Sequence, residues 1–198
     1  NDSKIHFVIG ILGLLIVQVD RIIAGNILSS VDLGVYFRHI LVISLIYQTF
    51  NIMSYNRILP KVFQTSKDVG LKAAKKIVLN EYTIILKITF FFTVFTVISS
   101  LFLEEYFDYF SISLYFLIGF IIYSIIKMRA DFNALLLNSV KLESYTLKSQ
   151  MQSFLLLIIL QILFGVFFGI LGIIIGLILG SIYYLTLTNN NLNNYRNE

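Results

Sequence analysis

The chain has 198 residues, of which 58% are hydrophobic and only 13% charged, and its mean hydropathy is +0.85. Soluble domains carry about 25% charged residues, so a soluble globular fold is set aside, and the lack of cysteine excludes disulfides and thiolate metal sites. A net charge of +4 invites a nucleic-acid reading, which the placement of the charges argues against below.

The sequence begins at Asn1 and no signal-peptide pattern precedes the first apolar run. It reads as a piece of a longer chain or a truncated product. A membrane-crossing helix needs about 20 predominantly apolar residues, and six stretches qualify. The polar and apolar alternation of a membrane barrel is absent from them. The expected fold is therefore all-α, a six-helix transmembrane lobe over residues 1–188 followed by a polar cytoplasmic tail, 189–198.

The first span covers about 5–28. Gln18 and Arg21 share one of its faces, with Gly25 one turn further on. Asp20 precedes Arg21, but adjacent helix residues point roughly 100° apart, which argues against a simple ion pair between them. Arg21 lies roughly 11 Å from the outer end of the helix, far for snorkelling. It faces either a water-filled cavity or an ion pair within the bundle. The second span, about 34–56, carries Ser44, Gln48, Asn51 and Tyr55 at helical steps. Such a stripe lines a cavity or glues helices together. Arg38 flanks it near the outer boundary, where snorkelling is open to it.

Pro60 is expected to close the second helix. Asp68 then caps an amphipathic segment, 69–78, with Leu71, Ala74 and Val78 on one side and Lys72, Lys75 and Lys76 on the other. This segment lies on an anionic leaflet or is a solvated charged loop. The third span is about 82–103, with Lys87 snorkelling at one end. The fourth is about 112–138, where Tyr123, Lys127 and Asp131 recur every four residues. Lys127 and Asp131 either pair along one face or sit hydrated at the membrane edge. The last two spans, about 151–168 and 171–187, meet at Phe168-Gly169-Ile170-Leu171-Gly172. Gln150 and Gln161 are nearly aligned on the fifth, while Gly172, Gly176 and Gly180 mark a close-packing face on the sixth. The asparagine-rich tail is expected to be disordered.

Charge placement orients the spans. Arg57, Lys61, Lys67, Lys72, Lys75 and Lys76 share one side with Lys141, Lys148 and both termini. The other side offers Asp32, Glu104, Glu105 and Asp108, without Lys or Arg. The positive-inside rule makes the basic side cytoplasmic, both termini included. Topology thus explains the basic charge, and no nucleic-acid partner is expected. Neither a nucleophile–histidine pair, a metal-ligand cluster nor a phosphate loop stands out, so no enzymatic activity, cofactor or metal is expected.

The order Asp20-Arg21, Gly25, then Gly34-Val35-Tyr36 resembles the start of the second half of bacterial polysaccharide flippases. So do the helix ending Arg57-Ile58-Leu59-Pro60, the exit Asn138-Ser139-Val140-Lys141 and the Phe168-Gly169 turn. These proteins form part of the multidrug/oligosaccharidyl-lipid/polysaccharide exporter superfamily, and the resemblance is to its O-antigen (Wzx-type) flippases. It implies two six-helix lobes around a central cavity, with this chain as the C-terminal lobe and an N-terminal lobe of the same protein as its partner. It further implies a polyprenyl-pyrophosphate-linked oligosaccharide, an O-antigen or capsule repeat unit, moved across the bacterial cytoplasmic membrane by alternating access. Arg21 and Arg38 would then attract the anionic headgroup, since a guanidinium fork suits phosphate. Gln18, Gln48 and Asn51 would bind sugar or phosphate, and Asp20 is the candidate for ion coupling. The alternatives are another drug or lipid exporter of the superfamily and a non-transporting membrane protein of surface-polysaccharide assembly. A polymerase would need a large external loop, whereas the outer loops here span few residues.

Overall fold

The computed structural model describes residues 2–43, 49–106 and 113–197, and among these every regular element is an α-helix. The helices are α1 (Asp2–Ile27), α2 (Ser30–Ile43), α3 (Thr49–Asp68), α4 (Leu71–Tyr106), α5 (Leu114–Ser139) and α6 (Glu143–Asn197). Three of them are long and apolar enough to cross a membrane: Phe7–Ile27 within α1, Leu71–Ser99 within α4 and Glu143–Tyr195 within α6. By length and composition this is a helical membrane protein. The fourth expected span corresponds to α5, which falls outside that set and whose second half carries Lys127, Arg129 and Asp131.

Local chemistry explains two of the helix boundaries among the described residues. Ser29 caps α2: its Oγ accepts the Asp32 N–H at 3.2 Å, and its hydroxyl donates to the Asp32 carboxylate at 2.7 Å. The α3–α4 turn uses Gly70 at a φ of 108°, a left-handed value that glycine adopts without steric cost. Asp68, expected to cap the segment after it, is instead the last residue of α3, and the amphipathic 69–78 stretch runs directly into α4. Nor does Pro60 close a helix. It lies inside α3, because Ile58 and Val62 on either side are locked in the core and hold the chain helical despite the lost backbone donor. The expected second span is spread over α2 and the start of α3, and its Ser44 and Gln48 lie outside the described residues.

α6 reverses direction at Gly169, whose φ of 57° and ψ of −132° are non-helical. The two arms, 143–168 and 170–197, run back against each other, and glycine makes this possible. A Cβ on Gly176 would lie 2.8 Å from the Gln161 backbone, and one on Gly180 would lie 2.9 Å from Leu157 Cβ. One on Gly172 would collide with the Phe164 carbonyl. Small residues at every fourth position thus bring the arms into backbone contact, as packing in lipid requires. Gly176→Val should cost at least the roughly 1–3 kcal/mol typical of overpacking, because backbone cannot move aside as a side chain does. Thermal melting of the detergent-purified protein measures this, with Gly25→Ala, whose surroundings are open, expected to melt like the native chain. Equal melting of Gly176→Val and the native chain would refute the tight contact.

α6 is the centre of the molecule, with α1 and α5 packed on it and the α3–α4 pair set against α5. One apolar cluster, around Tyr36, Phe120, Ile173 and Leu177, fills the end near the Gly169 turn. Another, around Val62, Val78, Phe132 and Leu136, fills the basic end. The asparagine-rich tail is helical to Asn197, which corrects the expectation of disorder. Asn189 accepts from the Asn133 amide at 2.7 Å, Asn191 donates to Ser149 at 3.0 Å, and Leu192 is buried. These contacts outweigh the composition. Outward, α4 leaves Phe90, Phe91 and Phe95 largely exposed, a surface suited to lipid and costly in water.

Candidate functional site

Polar side chains collect on facing sides of α1, α3, α5 and α6. On α5, Phe120, Tyr123, Lys127, Asp131, Ala134 and Asn138 follow the three- and four-residue steps of a single helix face. On α1, Ile9, Gly13, Ile16 and Asp20 do the same. Between them lies a cleft of about 240 Å³, reached by Gly13 from α1, Asn51 and Tyr55 from α3, and Gln150 and Tyr184 from the two arms of α6.

The cleft's charged centre is Lys127, whose Nζ lies 2.8 Å from Asp131 Oδ2. Both side chains are about one-fifth to one-quarter exposed, 24% and 21% respectively. The pair is formed, and both residues line the cleft. Next to it, Asn138 accepts from the Thr146 hydroxyl at 2.8 Å, tying α5 to the start of α6. Asn51 Oδ1 is buried without a hydrogen-bond partner. An unmet acceptor of this kind is costly unless water or a ligand group reaches it. A smaller void of about 40 Å³ continues past the ion pair to Ile16 and Ser153.

Asp20 lies further along the same face of α1 and is 3% exposed. The Tyr36 hydroxyl donates to its Oδ2 at 2.6 Å, while Oδ1 has no hydrogen-bond partner. Tyr36 comes from α2, so this bond fixes the α1–α2 hairpin. Tyr123 of α5 shares the helix face of Lys127 and Asp131 and packs against the apolar cluster that holds Tyr36. Two carboxylates, an ammonium, amides and phenols thus run in sequence through an apolar bundle.

The residues singled out from the sequence divide. Asp20 is buried at the end of this polar line nearer the Gly169 turn, and Asn51 is in the cleft. Arg21 is half-buried, with its Nε enclosed and without a hydrogen-bond partner. Arg38 is half-buried on α2, two residues beyond Tyr36 and next to His39. Gln18 is exposed and does not reach the cleft. Gln48 is outside the described residues. The sequence reading did not name Tyr36, Gln150 and Tyr184 as site residues, though polar groups within apolar runs were the available signal.

At about 240 Å³ the cleft is below the roughly 300–1,000 Å³ of pockets for drug-sized ligands, so it has room for one small polar group. Its donors and acceptors suit hydroxyls or phosphate oxygens. No protein-family model, curated protein or solved structure matches the chain.

Proposed function

We propose that this chain is one lobe of a membrane transporter that flips a polyprenyl-pyrophosphate-linked oligosaccharide across the bacterial cytoplasmic membrane by alternating access. The observation that carries the reading is the cleft around Lys127–Asp131, a partly open hydrogen-bonding site in a helix bundle that exposes many large apolar side chains. Polar groups are expensive inside a bilayer and mark substrate paths there. Arg21 and Arg38 add cationic charge on α1 and α2, which suits a pyrophosphate headgroup. The reading includes six spans and a second lobe, since alternating access needs two bodies rocking about a shared site.

Reconstituting the full protein in liposomes that carry the lipid-linked oligosaccharide tests it. Protein-dependent movement of the sugar to the opposite leaflet, read with a membrane-impermeant lectin, is expected. Movement no faster than in protein-free liposomes would defeat the proposal. The orientation is tested separately with single cysteines in intact cells. Lys67→Cys should resist an impermeant thiol reagent and Glu105→Cys should react. The reverse pattern would place the basic side outside.

A further inference from the structure

A larger cavity, about 440 Å³, lies apart from the cleft at the basic end of the molecule, between the α3–α4 turn, α5 and the last turns of α6. Leu136 and Leu192 contribute to its floor, and both belong to the buried apolar cluster, so the floor is firm. Lys72 and Lys75 form its rim, both exposed. Val69 and Tyr195 stand at the mouth with apolar surface uncovered, 74% and 39% exposed. The cavity sits at the beginning of Leu71–Ser99, a stretch long and apolar enough to cross a membrane, and a lysine-bearing amphipathic start of that kind suits the headgroup layer.

This volume falls within the range of small-molecule sites, and its chemistry is two-part. The rim carries two ammonium groups, with Lys67 and Lys76 exposed nearby and Asp68 as the acidic neighbour in the same stretch. Among the described residues the lining holds no carboxylate to pair with a choline or ethanolamine cation. The positive end of α4 adds to the lysine charge. A free phosphate would use the rim and leave the apolar floor uncovered. A phosphodiester joined to hydrocarbon uses both.

We propose that this cavity binds one anionic phospholipid of the surrounding leaflet, with its phosphate between Lys72 and Lys75 and the first carbons of an acyl chain on the Leu136–Leu192 floor. The bound lipid bridges the start of α4 and the end of α6, two segments far apart in sequence. The site does not depend on what the protein transports, only on its being in a membrane.

Native mass spectrometry of the detergent-purified full chain, titrated with dioleoylphosphatidylglycerol, dioleoylphosphatidylcholine or inorganic phosphate, tests this. Phosphatidylglycerol should bind as a single tight equivalent, about tenfold or more tighter than phosphatidylcholine, with phosphate alone not retained. A juxtamembrane lysine contributes on the order of a fivefold gain for an anionic lipid, so Lys72→Gln/Lys75→Gln should weaken phosphatidylglycerol by about tenfold or more. Val69→Ser should weaken it less, through the apolar mouth. Lys61→Gln/Lys148→Gln removes the same charge from exposed positions outside the cavity and should bind like the native chain. Equal weakening by both double variants would mean diffuse attraction and no site. Unchanged binding in Lys72→Gln/Lys75→Gln, equal affinity for the two lipids, or retention of phosphate alone would each overturn the proposal.

Discussion

Arg21→Ala is expected to abolish export of the lipid-linked oligosaccharide while the protein still inserts and purifies at native levels. The guanidinium is on α1 beside Asp20, half-buried, with its Nε enclosed and unmet by any hydrogen-bond acceptor. A buried cationic donor is costly unless an acceptor arrives, and a pyrophosphate oxygen is a suitable one. Removing one partner of such a charged contact costs about 2–5 kcal/mol, or roughly 30-fold or more in headgroup affinity. Arg21→Lys should recover only part of the activity, because an ammonium keeps the charge and loses the planar fork. Asp20 retains its Tyr36 hydrogen bond in either variant, so the α1–α2 hairpin should hold. Surface polysaccharide measured against membrane-inserted protein separates the two effects. Normal export by Arg21→Ala would remove Arg21 from the substrate path and leave it a structural residue.

What could be read from the sequence was mostly local. The reversal between the last two arms was visible, because Gly169 follows an apolar run and glycine alone adopts its backbone angles freely. The close-packing role of Gly172, Gly176 and Gly180 was visible from their spacing, and the structure bears it out. Lys127–Asp131 could be anticipated as an i, i+4 pair, but not which way it faces, since that depends on where α1 and α6 pack. Asp20–Tyr36 joins residues 16 apart, and Asn133–Asn189 joins residues 56 apart. Contacts across such separations follow from tertiary packing, which a one-dimensional pattern does not encode. The same holds for the helical tail, whose composition suggests disorder while its side chains find partners on α5 and on the first arm of α6. Pro60 misled for a related reason. The local rule against proline inside a helix is real, but its penalty of about 3 kcal/mol can be offset by burying Ile58 and Val62.

The Lys127–Asp131 pair should separate a structural from a transporting role through a double-mutant cycle. Asp131→Leu alone leaves Lys127 as an unpaired cation in the cleft, and Lys127→Met alone leaves the carboxylate unpaired. Each should lower the melting temperature. The pair is partly exposed, so its coupling energy should fall between the 0.2–1 kcal/mol of exposed pairs and the 3–5 kcal/mol lost on breaking a buried one, at about 1–2 kcal/mol. The double variant Lys127→Met/Asp131→Leu carries no unmatched charge and should recover most of the stability, since apolar replacements of ion pairs are often neutral. If the pair only holds α5 in place, recovery of stability brings recovery of transport. If it contacts the sugar or phosphate, the double variant melts like the native protein and still fails to transport, because methionine and leucine supply neither donor nor acceptor to the cleft. The second outcome is expected, since Asn51, Gln150 and Tyr184 converge on the same space, more hydrogen-bonding capacity than one ion pair needs for support. A double variant that both melts and transports like the native chain would assign the pair to the scaffold and move the substrate path away from this cleft.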